Sequence, residues 1–205
     1  MSELSSRRFL LGRLHSLAGL VPLGLFLLEH LYSNAVAMLG KEAYDRQVEA
    51  LLGIPFLPVI EILLIALPLL YHAGYGIYIG TMAKNNPYRY SYRQNWLFYA
   101  QRVSGLVTLV FVLYHLWAFR LSSLFLGTPV NYEAVQAHLQ QPVVFGFYVL
   151  GVISTTFHFS NGLWTGLITW GITTGPRMQR ISSAVRAALF LVLAGVGLGT
   201  LISFW

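Results

Sequence analysis

The sequence contains no cysteine among its 205 residues. This absence excludes disulfide bonds, metal sites with thiolate ligands and iron–sulfur clusters held by cysteine. It also excludes covalent attachment of haem through a C-x-x-C-H motif. Thiol chemistry of every kind is therefore removed from the possible functions of this chain.

Charged residues are scarce as well, at 10% of the chain, whereas a soluble domain usually carries about 25%. Hydrophobic residues make up 56% and aromatic residues 15%, and this composition is typical of a membrane protein. The net charge of +6 is compatible with nucleic-acid binding. However, the basic residues occur in short clusters between apolar runs, which favours a role in membrane orientation and no nucleic-acid partner.

Five apolar stretches reach the length of about 20 residues that a helix needs to cross a bilayer. They lie near residues 14–34, 56–82, 96–121, 143–170 and 183–204. The sequence therefore predicts an all-α transmembrane bundle of five helices, forming a single integral membrane domain over residues 1–205. The first stretch is longer than the apolar part of a signal peptide and lacks an A-x-A site, so we expect it to be retained. Pro22 and Pro68 are expected to kink their helices.

Lysine and arginine are distributed unequally between the two ends of these spans. Ten of the 13 lie before span 1, around the link between spans 2 and 3, or around the link between spans 4 and 5. Only Lys41, Arg46 and Arg120 lie on the other side. The positive-inside rule predicts a cytoplasmic N-terminus and an external C-terminus.

Each of the first four spans contains a histidine at membrane depth. His30 and His115 lie about 17 and 19 residues into helices that run outward, and His30 is therefore about 25 Å from the inner edge. His72 and His158 lie about 23 Å below the outer edge, in helices that run inward. The heights predict an outer pair, His30 with His115, and an inner pair, His72 with His158.

Two imidazoles on one iron fill both axial positions of a haem, and a flat haem fits between the helices of a bundle. Such a haem has no open position for oxygen and carries electrons. Structural zinc is a weaker candidate because it usually takes four ligands. The alternatives are histidines that only hydrogen-bond between helices, in a haemless anchor protein, or histidines that relay protons in a small transporter.

Small residues near the histidines favour a flat cofactor, although each one also fits helix packing alone. Gly19 and Gly105 precede His30 and His115 in the same spans. His15, near the cytoplasmic edge, is interpreted as meeting water, a haem propionate or a quinone head group rather than iron. His138, in an outer link, is interpreted as a solvated surface residue.

Several segments together resemble a known family. They are RLHSLAGLVPLGLFLLEHL, LPLLYHAGYGIYI, YSYRQNWLFYAQRVSGLVTLVFVLYHLW, GFYVLGVISTTFHFSNGLWTGLITWGIT and PRMQRIS. The chain resembles the cytochrome b558 membrane subunits of succinate dehydrogenase, of the single-chain, two-haem type found in Gram-positive and some other bacteria. The similarity covers nearly the whole chain.

The resemblance implies a multi-pass anchor in the bacterial cytoplasmic membrane that holds two haem b groups. It implies that His30 and His115 bind an outer, low-potential haem and that His72 and His158 bind an inner, high-potential haem. It also implies a flavoprotein partner, which oxidises succinate, and an iron–sulfur partner. Electrons would pass from the iron–sulfur protein to the inner haem, then to the outer haem and to a quinone, usually menaquinone.

Some two-haem fumarate reductases carry a glutamate two residues before the inner-haem histidine, as part of a proton path. Thr156 occupies that position here, which puts such a path in doubt. Fumarate reduction, the reverse reaction, and a hydrogenase-type cytochrome b anchor are the alternatives to succinate oxidation.

Quinone reduction also needs a proton-accepting group near a haem. Two carboxylates lie in or near spans at the outer level, Glu29 and Glu61, and each could instead bond to Tyr32, Asn34 or Trp117. A competing inner site would use Arg13, His15, Ser16 and Arg102, although those arginines could equally bind propionates. The sequence leaves both sites open.

Overall fold

The computed structural model describes the backbone of residues 3–205 and the side chains of residues 6–205. Within this part of the chain the structure is helical and contains no β-strand. Five helical segments are long and apolar enough to cross a membrane: Ser6–Leu39, Leu57–Met82, Arg93–Leu126, Pro142–Thr169 and Pro176–Phe204, here called spans 1 to 5. The predicted all-α fold with five membrane-crossing helices is confirmed, and each segment overlaps one predicted span.

Within the described residues these spans and their links contain ten α-helices, together with a short 3-10 segment (Val36–Leu39) and two π-helical segments. The α-helices are α1 (Glu3–Leu20), α2 (Pro22–Ala35), α3 (Lys41–Leu52), α4 (Leu57–Glu61), α5 (Leu67–Met82), α6 (Arg93–His115), α7 (Ser122–Leu126), α8 (Tyr132–Leu139), α9 (Pro142–Thr169) and α10 (Pro176–Phe204). Three of the spans are therefore interrupted helices, and only α9 and α10 are continuous.

Proline explains two of the interruptions. Pro22 has no backbone N–H, so α1 ends at Leu20 and α2 begins after a single intervening residue, Val21. Hydrogen bonds on either side of the break keep the helical path: Val21 N donates to Leu17 O at 2.9 Å and Leu25 N donates to Val21 O at 3.0 Å. In span 2, Pro68 follows a π-helical segment, Ile62–Ala66. The wider turn relieves the clash of the proline ring with the carbonyl four residues earlier.

A second π-helical segment, Leu116–Leu121, begins immediately after His115 in span 3. No proline lies within it. π-Helical turns inside α-helices occur frequently at functional sites, and this one adjoins the histidine that the sequence singled out.

The short helices α3 and α8 pack together at one end of the bundle. The Tyr132 backbone N donates to the Asp45 carboxylate at 2.7 Å, and Lys41 pairs with Glu133, which raises the pKa of Lys41. Tyr44 is buried here beside Phe204, and burial raises the pKa of Tyr44 to about 12. This end therefore has a packed core of its own, while span 2 buries none of its apolar window.

Helix α9 lies at the centre of the bundle and packs against α6 and α10. Its buried positions are mostly small or polar: Gly151, Ser154, Thr156, Ser160, Asn161 and Gly166. In a membrane no hydrophobic effect drives helices together, so small side chains that allow close van der Waals contact take that role.

Gly197 tests this close packing. A Cβ atom there would lie 2.6 Å from Val152 Cγ1 on α9, and a β-branched side chain cannot move aside easily. We expect Gly197→Val to destabilise the protein by about 1–3 kcal/mol through overpacking. Gly195→Val is the matched control, because nothing lies within 4 Å of a Cβ at that position on the same helix.

Thermal unfolding of the detergent-purified variants measures this difference. Gly197→Val should have the lower midpoint, and equal midpoints for the two variants would show that α9 and α10 do not pack this closely.

Candidate functional site

Four histidines from four spans lie in two pairs inside the bundle. The ring centroids of His30 and His115 are 5.5 Å apart, and those of His72 and His158 are 6.1 Å apart. Both pairs meet edge to face, at interplanar angles of 78° and 85°. The structure thus places each histidine beside the partner that its height in the membrane assigns to it.

Main-chain carbonyls orient both inner rings. His72 Nδ1 donates to the His15 carbonyl at 3.0 Å, and His158 Nδ1 donates to the Gln101 carbonyl at 3.1 Å. A carbonyl oxygen only accepts, so in each ring Nδ1 carries the proton and Nε2 keeps its lone pair. Histidines that bind metals typically donate their other nitrogen to such an acceptor.

Side chains surround the outer rings instead. His115 Nδ1 lies 3.3 Å from the Tyr148 hydroxyl. The Asn34 amide nitrogen lies 3.4 Å from both ring nitrogens of His30 and donates to the His30 carbonyl at 2.8 Å. Phe111 stacks on His115 at 5.7 Å between centroids, which makes this level more aromatic than the inner one.

Two glycines lie against the inner histidines. A Cβ on Gly19 would be 2.4 Å from His72 Cε1, and a Cβ on Gly105 would be 2.7 Å from His158 Cε1. In the sequence these glycines are associated with His30 and His115, which follow them in the same spans. That association is wrong, because about ten helical residues span about 15 Å and carry the chain from one level to the other.

The donor set fits haem b better than a bare metal ion. Among residues 6–205, no group of three or more His, Asp or Glu side chains could hold a metal ion. Each edge-to-face pair, His30 with His115 and His72 with His158, offers two imidazoles, and a porphyrin supplies the remaining ligands of its iron itself. The glycines let the inner imidazoles approach the backbone of the neighbouring helix, where any side chain would collide with the ring.

Residues proposed for an inner quinone site are brought together only in part. His15 stacks on His72, with centroids 4.2 Å apart and planes within 5°. The indole Nε1 of Trp170 donates to the Ser16 hydroxyl at 3.3 Å. The Arg13 guanidinium lies over the Trp170 ring, 5.0 Å from the ring centroid. Arg102 instead donates to Asn85, in the link between spans 2 and 3.

The two outer carboxylates have different partners from those the sequence suggested. Glu29 accepts a hydrogen bond from Ser33, whose hydroxyl also accepts from Gln47 Nε2 at 3.1 Å. Glu61 forms an ion pair with Arg120, with 2.7 Å between Oε2 and Nη2. Trp117 lies in the π-helical segment of span 3 and is 56% exposed.

Comparison with known proteins identifies the family to which this chain belongs. Residues 82–198 match the family described as succinate dehydrogenase/fumarate reductase transmembrane subunit. Over 199 residues the chain is 47% identical to the succinate dehydrogenase cytochrome b558 subunit of Bacillus subtilis (strain 168), covering 97% of this chain and 98% of that protein. The chain belongs to this family. The resemblance found in the sequence is therefore confirmed, and the chain is a succinate dehydrogenase/fumarate reductase membrane subunit.

Sequence reasoning overlooked two polar residues of this membrane subunit. Gln101 Nε2 donates to the His158 carbonyl at 3.0 Å, and Gln101 Oε1 accepts from Asn161 Nδ2 at 2.8 Å. Together with the bond from His158 Nδ1, these contacts tie α6 to α9 at the inner level. An amide at membrane depth in each of two apolar spans was the signal that could have identified them.

His138, interpreted as a solvated surface residue, is half-buried and packs against aromatic rings. Its ring packs against Tyr114, Phe119 and Tyr148, with centroids 5.8, 5.2 and 5.6 Å away. Helix α8 packs against α9, and burial in this aromatic group lowers the pKa of His138.

This burial predicts a pH dependence. The lowered pKa means that the unfolded chain, with a histidine pKa near 6.5, takes up the proton first as the pH falls. Packing of the His138 ring should therefore stabilise the subunit fully above about pH 6.5 and lose this contribution below it.

Unfolding midpoints of the wild-type subunit and of His138→Gln, measured in detergent from about pH 8 to about pH 5, test this expectation. Only the difference between the two proteins matters, because other groups also titrate. The wild type should lose stability relative to His138→Gln as the pH falls, and a constant difference would contradict the assignment.

Proposed function

We propose that this chain is the dihaem cytochrome b anchor of a succinate dehydrogenase complex, and that it passes electrons to a quinone. The observation that carries the proposal is the presence of two imidazole pairs at two levels, each drawn from two different spans. The 47% identity to a cytochrome b558 subunit supports it.

His72 and His158 would hold the inner haem, and His30 and His115 the outer one. A bound b haem takes up and releases single electrons. Two imidazoles would hold the iron of each haem, which would leave no position open for oxygen. The carbonyls of His15 and Gln101 keep the inner imidazoles in one tautomer.

The partners would be a flavoprotein, which carries out succinate oxidation, and an iron–sulfur protein. We place both on the cytoplasmic side of the bacterial inner membrane, where the basic clusters of the chain would lie. The link between spans 2 and 3 is a candidate docking surface, because Tyr88 is 91% exposed, Tyr92 is 60% exposed, and Arg89 lies over the ring of Tyr90.

For the quinone, which we propose is menaquinone, the outer level is favoured. Glu29 adjoins His30 in α2, and its hydrogen bonds through Ser33 to Gln47 lead to the surface helix α3. Glu61 is already paired with Arg120, so its carboxylate is less available to a quinone. The Arg13, Ser16 and Trp170 group is the alternative site at the inner level.

Thr156 makes a compensating proton path through its position implausible. It is 1% exposed, and its hydroxyl donates to the Val152 carbonyl at 2.7 Å, so no carboxyl group is present there to carry a proton. Charge that moves between the two levels would then be coupled to the membrane potential, at about 2.3 kcal/mol per charge per 100 mV.

Substitution of single histidines tests the haem assignment. His72→Ala or His158→Ala should remove the inner haem, and His30→Ala or His115→Ala should remove the outer one, because each haem loses an axial ligand. Reduced-minus-oxidised spectra of the purified chain measure this, and His138→Ala should keep both haems.

The pairing is wrong if His30→Ala and His72→Ala remove the same spectral species. If the wild-type chain is colourless when purified from cells with ample haem, the proposed dihaem function is refuted.

Glu29→Gln tests the quinone site. Loss of a general acid typically costs on the order of 10²-fold in rate, so reduction of a menaquinone analogue by the complex should fall by about that factor. Succinate oxidation with a soluble dye as acceptor should stay unchanged, because it bypasses the membrane subunit.

Glu61→Gln is the matched control, with a smaller expected effect. Full quinone reduction by Glu29→Gln would refute the outer site as drawn here, and the same measurement on Ser16→Ala would then test the inner one.

A further inference from the structure

The two histidine pairs are held by different kinds of group. Inner rings donate to main-chain carbonyls, which every residue type supplies, and the Ser104 hydroxyl lies farther from His158 Nδ1, at 3.4 Å. His115 depends on a side chain: among the described residues, the Tyr148 hydroxyl is the one polar group within hydrogen-bond distance of its ring. A substitution can therefore remove the partner of His115 without altering the backbone.

Tyr148 is rigidly placed for this contact. It is 4% exposed, and its ring meets Phe111 edge to face at 5.2 Å and an angle of 90°. Phe111 in turn stacks on His115, and its ring fits only because residue 151 is glycine: a Cβ there would lie 2.2 Å from Phe111 Cδ2. The phenol oxygen thus faces His115 Nδ1 from a packed aromatic group.

The direction of this hydrogen bond follows from coordination. When Nε2 of His115 binds iron, the neutral imidazole carries its proton on Nδ1, so the ring donates and the phenol oxygen accepts. An acceptor at this nitrogen fixes the ring orientation and raises the basicity of the ligand. A more basic axial ligand stabilises the oxidised iron and lowers the reduction potential.

We propose that Tyr148 is a positioning residue for the outer haem. It would orient the ring of His115 and, by making this ligand more basic, lower the reduction potential of that haem. The proposal rests on the haem assignment given above. It places on α9 a group for each level: Tyr148 at the outer one, and the ligand His158 itself at the inner one.

The experiment uses the assembled complex carrying Tyr148→Phe. Redox titration and low-temperature electron paramagnetic resonance then report each haem separately. We expect both haems to be retained, the reduction potential of the outer haem to shift upward and its low-spin signal to move, while the inner haem stays unchanged.

Tyr114→Phe is the matched control. It removes a hydroxyl from a neighbouring ring, but that hydroxyl lies 3.4 Å from His138 Nε2 rather than at His115. Both haem potentials should match the wild type. If Tyr148→Phe prevents assembly, incorporation of 3-fluorotyrosine at position 148 keeps the shape and weakens the oxygen as an acceptor, and the same upward shift is expected.

An outer haem whose potential and signal are unchanged in Tyr148→Phe, or in the 3-fluorotyrosine protein where Tyr148→Phe does not assemble, overturns this proposal alone. An outer haem that survives His115→Ala overturns the haem assignment itself. The two failures are therefore distinguishable.

Discussion

An imidazole inside a bilayer is costly unless both of its nitrogens are used, and this constraint organises the bundle. At the inner level each Nδ1 donates to a carbonyl of a neighbouring helix, so His72 ties α5 to α1 and His158 ties α9 to α6. Glycines at positions 19 and 105 let those rings approach. The remaining nitrogen of each ring is free for a ligand, and the membrane subunit's proposed cofactors follow from it.

Helix α9 carries much of this arrangement because it lies between α6 and α10. Its small and polar residues serve two purposes. Gly151 admits Phe111, and Asn161 bonds to Gln101, which in turn holds the backbone of His158. The residues that pack α9 against its neighbours are thus also the ones that hold the histidines, so a substitution that alters the packing also alters the orientation of the imidazoles.

The two levels differ in their surroundings. The short helices α3 and α8 cover the outer level and contact residues of the spans. Gln47 of α3 donates to Ser33, and His138 of α8 packs on Tyr148. In the part of the chain that the structure describes, the inner level has no such cover and presents the exposed link with Tyr88 and Tyr92. An outer level connected to the surface by polar groups suits proton exchange, and an inner level with an open aromatic surface suits docking of a partner.

The sequence by itself determined the five apolar spans, the family, and which histidines lie together in pairs, because helix rise and bilayer thickness convert residue number into an expected depth. It could not determine which residues face each histidine. Gly19 was associated with the wrong level, and neither the partners of Glu29 and Glu61 nor the packing of His138 against aromatic rings was foreseen. Those contacts depend on how the helices rotate and pack against one another, which only the tertiary structure decides. Residue spacing along one helix shows which residues share a face, but not which neighbouring helix that face contacts.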